Sequence, residues 1–92
     1  MIVRIATEDQ YRLPDADAER LNELDNAAVA AVESDDEDRF HEVFEEMLNL
    51  VRTDGYKLGE DELEESDVIL PPPDLSFDEA GVEFTGDGLI PD

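Results

Sequence analysis

The chain has 92 residues, of which 28 are Asp or Glu and only six are Lys or Arg, so its formal net charge is -22 at pH 7. Nucleic acids and anionic membrane surfaces are excluded as direct partners on this basis, because binding them requires clusters of Lys and Arg. The absence of cysteine, with His41 as the one histidine, also argues against a zinc or copper site.

The excess of acidic residues indicates a protein that folds in concentrated salt. Self-repulsion at this charge density normally favours disorder, yet 40% of the residues are apolar and two stretches carry helical apolar stripes. In concentrated salt the screening length falls to about 3 Å at 1 M, and surface carboxylates no longer repel one another at a distance. We therefore expect a halophilic protein, folded as a single domain over residues 1–92. Without a signal pattern or a membrane-length apolar run, it is also expected to be cytoplasmic.

The first predicted element is a β-hairpin. Ile2–Ile5 is rich in β-branched residues, and a second strand-like run, residues 10–13, follows four polar or small residues. Pro14 ends the hairpin.

A first helix is predicted from this point to about Glu33, with Asp15 or Asp17 as its N-terminal cap. Its apolar residues recur every three or four positions, which is typical of a helix with one buried side. They are Leu21, Leu24, Ala28 and Val32.

A second helix gives the strongest local pattern. Ser34 stands three residues before Glu37, the spacing of a capping box, and Gly55 provides a stop. Because the junction between the helices is very short, they are predicted to form an antiparallel hairpin with facing apolar stripes. The stripe of the second helix is Phe40, Val43, Phe44, Met47, Leu48 and Val51.

The last third of the chain has weaker patterns. The acidic residues 60–65 could form one helical turn, and Val68–Leu70 is expected to be extended because prolines follow it. A second capping-box spacing, Ser76 with Glu79, predicts a short third helix over Phe77–Glu83. The apolar pair Leu89-Ile90 suggests an extended, docked terminus. The predicted class is thus α+β and predominantly helical.

No pattern of catalytic or metal-binding residues stands out. Nearby carboxylates arise by chance in so acidic a chain, and an acid/base pair needs a desolvated pocket to separate the two pKa values. The aspartate-rich stretches lack the glycine and glutamate that close an EF-hand. His41 is interpreted as a partly exposed structural residue. We therefore expect no enzymatic activity, no cofactor and no metal.

The count of elements indicates a partner. A strand hairpin, two long helices and one short helix cannot easily cover both sides of the second helix, so apolar surface is expected to remain on it. Aromatic side chains are enriched at interface hot spots. The exposed-aromatic candidates for partner contact are Tyr11, Tyr56, Phe77 and Phe84.

Six short segments, in their order along the chain, resemble the PspA-associated family, PspAA. They are residues 1–5, residues 10–13, residues 21–25, Val51-Arg52 with Gly55, residues 66–72 and residues 88–91. This resemblance implies a small helix-rich domain of archaea or actinobacteria. It also implies, as partner, PspA, the coiled-coil effector of the phage-shock response to membrane stress.

Three hypotheses for function follow. The leading one, which the resemblance implies, is a non-enzymatic adaptor that contacts a PspA-like coiled coil through leftover apolar surface, without inserting into the membrane. The second is a self-associating structural domain, for example a homodimer. The third is a hydrolase that uses carboxylates and a divalent cation, which ranks last because no spacing in the sequence demands a pocket.

Overall fold

A four-stranded sheet with helices packed on one of its faces forms the fold. The structure is a computed structural model that describes residues 1–84, and for Glu60 the backbone only. The predicted α+β, predominantly helical class is confirmed. In chain order the elements are β1 (Ile2–Ile5), β2 (Gln10–Arg12), α1 (Asp15–Glu33), α2 (Glu37–Asp54), β3 (Tyr56–Lys57), one 3-10 turn (Glu60–Glu62), β4 (Val68–Leu70) and α3 (Phe77–Glu83).

The sheet extends beyond the predicted hairpin. Its strand order is β3-β2-β1-β4. Strand β1 pairs antiparallel with β2 and parallel with β4, and β2 pairs antiparallel with β3. The hairpin of β1 and β2 is confirmed, while Val68–Leu70, expected only to be extended, forms an edge strand.

The reversal between the two long helices differs from the predicted capping box. Ser34 ends α1 instead, where its hydroxyl donates to the carbonyl oxygen of Ala30 at 2.8 Å. Asp35 takes a left-handed backbone conformation with φ of 58° and turns the chain. Asp36 then caps α2 by accepting from the Arg39 N–H at 3.1 Å. The prediction was wrong because the serine hydroxyl is already engaged at the preceding helix end.

The predicted cap of α1 is also wrong. Pro14 occupies the N-cap position, and no side chain caps the helix there. Asp15 and Asp17 lie in the first turn, where the positive end of the helix dipole still favours their charge.

The apolar stripes of α1 and α2 pack against each other, as predicted, and they also pack against the sheet. All six stripe residues of α2 are buried, and of the α1 stripe only Val32 is partly exposed. The two helices are antiparallel, since Asp17 near the start of α1 lies beside Asp54 at the end of α2.

Helix α3 closes the end of the core near the start of α2. Its predicted capping box is confirmed, because Ser76 Oγ accepts from the Glu79 N–H at 3.2 Å and the Glu79 carboxylate accepts from the Ser76 N–H at 3.4 Å. The ring of Phe40 lies 5.2 Å from the ring of Phe84 and 5.9 Å from that of Phe77, centroid to centroid.

Gly55 joins α2 to β3 where the helical layer meets the sheet. Its backbone is extended, with φ of -82°, so a left-handed conformation is not the reason for glycine. A β-carbon at this position would crowd the carbonyl oxygen of Val51 and lie 3.1 Å from the β-carbon of Tyr11. The predicted helix stop is confirmed, and glycine fits there because the Val51 carbonyl and the Tyr11 side chain leave little space for a β-carbon.

The outer face of the sheet, opposite the helices, is partly covered by residues 58–67, here called the covering segment. The buried Gln10 amide holds this segment: it donates to the Glu64 carbonyl at 2.5 Å and to Ser66 Oγ at 2.7 Å, and it accepts from the Glu64 N–H at 3.0 Å. Backbone groups of Ile2 and Asp67 add a further hydrogen bond of 2.8 Å. The predicted helical turn is present within the segment as Glu60–Glu62.

Two further points complete the fold. The predicted docking of Leu89-Ile90 falls outside the residues that the structure describes. Over residues 1–84, every helix is too short or too polar to cross a lipid bilayer.

Candidate partner-binding surface

The four aromatic residues predicted as partner contacts occupy different environments. Tyr56 on β3 is 72% exposed. Phe77 is partly buried at the edge of the core. Tyr11 and Phe84 are buried core residues, with 9% and 0% exposure, so the expectation that these two are exposed is wrong.

A periodic signal identifies both buried aromatics. Tyr11 stands two residues before Leu13, and alternate residues of a strand point to the same side of a sheet. Phe84 follows Phe77 by seven residues and Ala80 by four, which places all three on one side of a helix. Each aromatic therefore shares a side with another apolar residue, and that side faces the core.

Helix α2 does not keep the uncovered apolar stripe that was expected of it. Its six stripe residues are buried in one cluster with residues of α1, the sheet and α3. The expectation was wrong because Val68 and Leu70 of β4, together with Phe84 at the end of α3, join the same buried cluster and complete its cover. The remaining apolar exposure lies elsewhere.

Three of the four large exposed apolar side chains in residues 1–84 lie on the outer side of the sheet. Ile69 on β4 is 59% exposed between the buried Val68 and Leu70, and Tyr56 lies on β3 opposite Arg12. Leu63 belongs to the covering segment and is 53% exposed. The fourth, Val82, lies on α3. No alternation of apolar and polar residues identifies Ile69 as exposed, because the run Val-Ile-Leu is apolar throughout.

The strand register divides the outer face into two halves. Tyr11 points into the core, so Gln10 and Arg12 on either side of it point outward. The covering segment lies over Gln10 and Arg12 on β2. On the other half, Arg4 of β1 pairs with Ile69 of β4 in the register. We call these two neighbouring residues the Arg4–Ile69 patch.

Arg4 differs from the other basic residues in its partners. Each of the others forms an ion pair with an acidic side chain: Arg12 with Glu64, Arg20 with Glu23 and Glu46, Arg39 with Glu42, Arg52 with Glu8, and Lys57 with Asp9. Arg4 is partly buried and forms no ion pair with any residue of the described part of the chain. An unpaired guanidinium is unexpected in a chain with 28 acidic residues.

A shallow groove with a volume of about 320 Å³ lies beside Tyr56 at the opposite edge of the sheet. It combines an exposed aromatic ring with a guanidinium, a pairing that is common at protein interfaces. Its lining is Met1, Arg12, Leu13, Pro14, Asp15 and Tyr56.

Asp17 near the start of α1 lies beside Asp54 at the end of α2. Loss of hydration and the neighbouring Asp54 carboxylate raise the pKa of Asp17 above its ordinary value of 3.8. His41 is exposed, with its Nε2 3.7 Å from a carboxylate oxygen of Glu37. Within residues 1–84, no group of three or more His, Cys, Asp or Glu side chains is placed to hold a metal ion.

Comparison with known proteins gives one family and no individual relative. No curated protein and no solved structure is detectably similar to this chain. The family model of the PspA-associated proteins, PspAA, matches residues 1–92. That family is not a known family of enzymes. Because the match covers the whole length, the chain belongs to the PspA-associated family.

Proposed function

We propose that this chain is a non-enzymatic cytoplasmic adaptor that binds a PspA-like coiled-coil protein and so tunes the response to membrane stress. The observation that carries this proposal is the family match over residues 1–92. The family's description as PspA-associated supports a PspA-like partner, and the coiled-coil nature of PspA makes a helical surface the structure to be recognised.

The distribution of apolar surface is in keeping with an adaptor. The core is closed around the stripe of α2, and three of the four large exposed apolar residues in residues 1–84 lie on the outer side of the sheet. Tyr56 stays a proposed contact, together with the exposed part of Phe77. Tyr11 and Phe84 could support such a contact only from within the core.

Direct binding in molar KCl tests the proposal. The purified chain is titrated into the purified PspA-like protein of the same organism and followed by calorimetry and sedimentation velocity. We expect a saturable complex of fixed stoichiometry. An unrelated protein with a similar acidic charge serves as the control, and equal behaviour of the two proteins would contradict the adaptor proposal.

A self-associating structural domain is the second candidate, favoured by the position of β4. This edge strand carries the exposed Ile69, and unpaired strand edges are common sites of association. Sedimentation equilibrium at several concentrations of the isolated chain in molar KCl separates the candidates. A dimer in the absence of the PspA-like protein supports self-association, whereas a monomer at all concentrations contradicts it.

We also propose that the protein works in concentrated salt. With a net charge of -22, repulsion opposes the compact state in dilute buffer, and screening relieves it. The far-UV helical signal and the cooperativity of thermal unfolding should both increase from dilute buffer to molar KCl. Equal stability in both solvents would contradict a halophilic origin.

A further inference from the structure

We propose that the Arg4–Ile69 patch is the surface on which the PspA-like partner docks, and that the partner presents there an apolar side chain next to a carboxylate. This inference rests on the proposed function and adds to it a site and a chemistry.

Ile69 provides the apolar half of the patch. Its side chain is 59% exposed although its strand neighbours, Val68 and Leu70, are buried and hold the backbone in the sheet. A side chain on a fixed strand loses little conformational freedom on binding, so covering it returns most of the hydrophobic free energy. A partner can therefore cover Ile69 at a small cost in conformational entropy.

Arg4 provides the polar half. It lies on β1, an inner strand of the sheet between β2 and β4, and it is partly buried. The other five cations each pair with a carboxylate of this chain, and Arg4 pairs with none among residues 1–84. A guanidinium at the edge of an apolar contact binds a carboxylate strongly, often through two parallel hydrogen bonds. Charge complementarity therefore requires an acidic group on the partner.

A helix of a coiled coil offers this combination of groups. The positions that flank its apolar seam are often glutamate, so an apolar side chain and a carboxylate lie side by side on its surface. A nucleic acid or an anionic membrane does not fit, because one arginine within so acidic a surface cannot offset the repulsion of many phosphates. In molar salt, repulsion beyond about 3 Å is screened, and the direct contacts of the patch decide binding.

Two substitutions in the patch and two matched controls test the docking site. Ile69→Asp is compared with Val82→Asp, since Val82 on α3 is 77% exposed and lies away from the sheet. Arg4→Gln is compared with Arg39→Gln in the first turn of α2. All four are titrated against the purified PspA-like protein in molar KCl. We expect Kd to rise about tenfold or more for Ile69→Asp and Arg4→Gln, as at interface hot spots, and to change less than about twofold for the controls.

The charge of Arg4 is tested separately by a reversal. Arg4→Glu should abolish binding, and a Glu→Arg substitution at the contacting position of the partner helix should restore it. Restored binding shows a direct ion pair, which a merely structural role of Arg4 would not produce. If none of the Glu→Arg substitutions along the partner helix restores binding, the proposed ion pair between Arg4 and the partner is wrong.

The outcomes separate this inference from the proposed function. If the native chain does not bind the PspA-like protein, the proposed function fails. If the native chain binds and the Ile69→Asp and Arg4→Gln variants bind equally well, the docking site is wrong and the adaptor function stands. Ile69→Thr, which keeps the β-branched side chain favoured in strands, replaces Ile69→Asp if circular dichroism shows that the aspartate variant is unfolded.

Discussion

The two faces of the sheet are built on different physical principles. The inner face presents Val3, Ile5 and Tyr11 to the helices, and all of these side chains belong to one apolar cluster. The covering segment on the outer face is held by the amide of Gln10 and by two hydrogen bonds between Ile2 and Asp67, one of them to the Asp67 carboxylate. Burial on the inner face stabilises the whole domain, whereas a few directed bonds on the outer face position one segment.

This difference explains why the candidate docking surface lies on the outer face. Hydrophobic burial depends on area and has no direction, so the inner face must be covered continuously. Hydrogen bonds hold the covering segment at only a few residues, chiefly at Gln10 on β2. The half of the outer face formed by β1 and β4 is therefore left open to a partner. If this is so, substitutions on the inner face should lower the stability of the whole domain, whereas substitutions on the outer face should affect mainly the covering segment.

The largest expected effect is on the inner side, at Phe40. This side chain has 0% exposure, and its ring contacts the rings of Phe44, Phe77 and Phe84. Phe40→Ala leaves a cavity and should lower the free energy of unfolding by about 3–5 kcal/mol, measured by denaturant titration in molar KCl. An exposed residue of the same helix provides the control, since Glu45→Ala should cost less than about 0.5 kcal/mol. If Phe40→Ala lowers the free energy of unfolding no more than the control does, the aromatic cluster does not stabilise the fold.

A smaller and local effect is expected on the outer side, at Gln10. Its amide makes three hydrogen bonds to Glu64 and Ser66 and is 1% exposed. Gln10→Ala leaves these groups without a protein partner and should cost about 1–3 kcal/mol. Hydrogen exchange should show lost protection confined to the covering segment, with α2 still protected. Arg12→Gln, which removes only the exposed ion pair to Glu64, should cost less than about 1 kcal/mol. Equal loss of protection in α2 would show that the two faces are not separate.

The smallest effect concerns the surface of the helical layer, at Asp17. Loss of hydration and the neighbouring Asp54 carboxylate raise the folded-state pKa of Asp17 above its ordinary value of 3.8. The protonated form of Asp17 therefore stabilises the folded state, and this contribution is fully present below pH 3.8. It is lost as the pH rises through the raised folded-state pKa. Asp17→Asn should therefore stabilise the domain slightly at neutral pH, with a difference from native that shrinks on acidification. Asp38→Asn, in the first turn of the other helix, is the control and should give no stabilisation.

The helical half of the fold could be predicted from the sequence because its signals are local. The stripe of α2 repeats over about three turns, and the Ser76 and Glu79 spacing marks the start of α3. The Ser34 prediction failed for the same local reason, since a serine between two helices can end one or begin the other. The sequence does not show that the hydroxyl bonds backwards to Ala30.

The sheet beyond its hairpin and the candidate surface could not be predicted, because they depend on distant parts of the chain. β3 has two residues and no pattern, and β4 is apolar at every position. Only the register between β1 and β4 shows that Ile69 is exposed beside Arg4. Whether a cation has an acidic partner is likewise a property of the folded chain.

The parallel pairing of β1 with β4 has a consequence for how the protein is made. Strand β1 cannot pair with its second neighbour, β4, until residues 68–70 have been synthesised, whereas the two long helices contact each other across a short connection. Loop closure over such a separation is slow compared with the joining of adjacent helices. We therefore expect the two long helices to associate before the strip of sheet that carries Arg4 and Ile69 assembles, so that a nascent chain acquires its binding competence only after residues 68–70 have been synthesised.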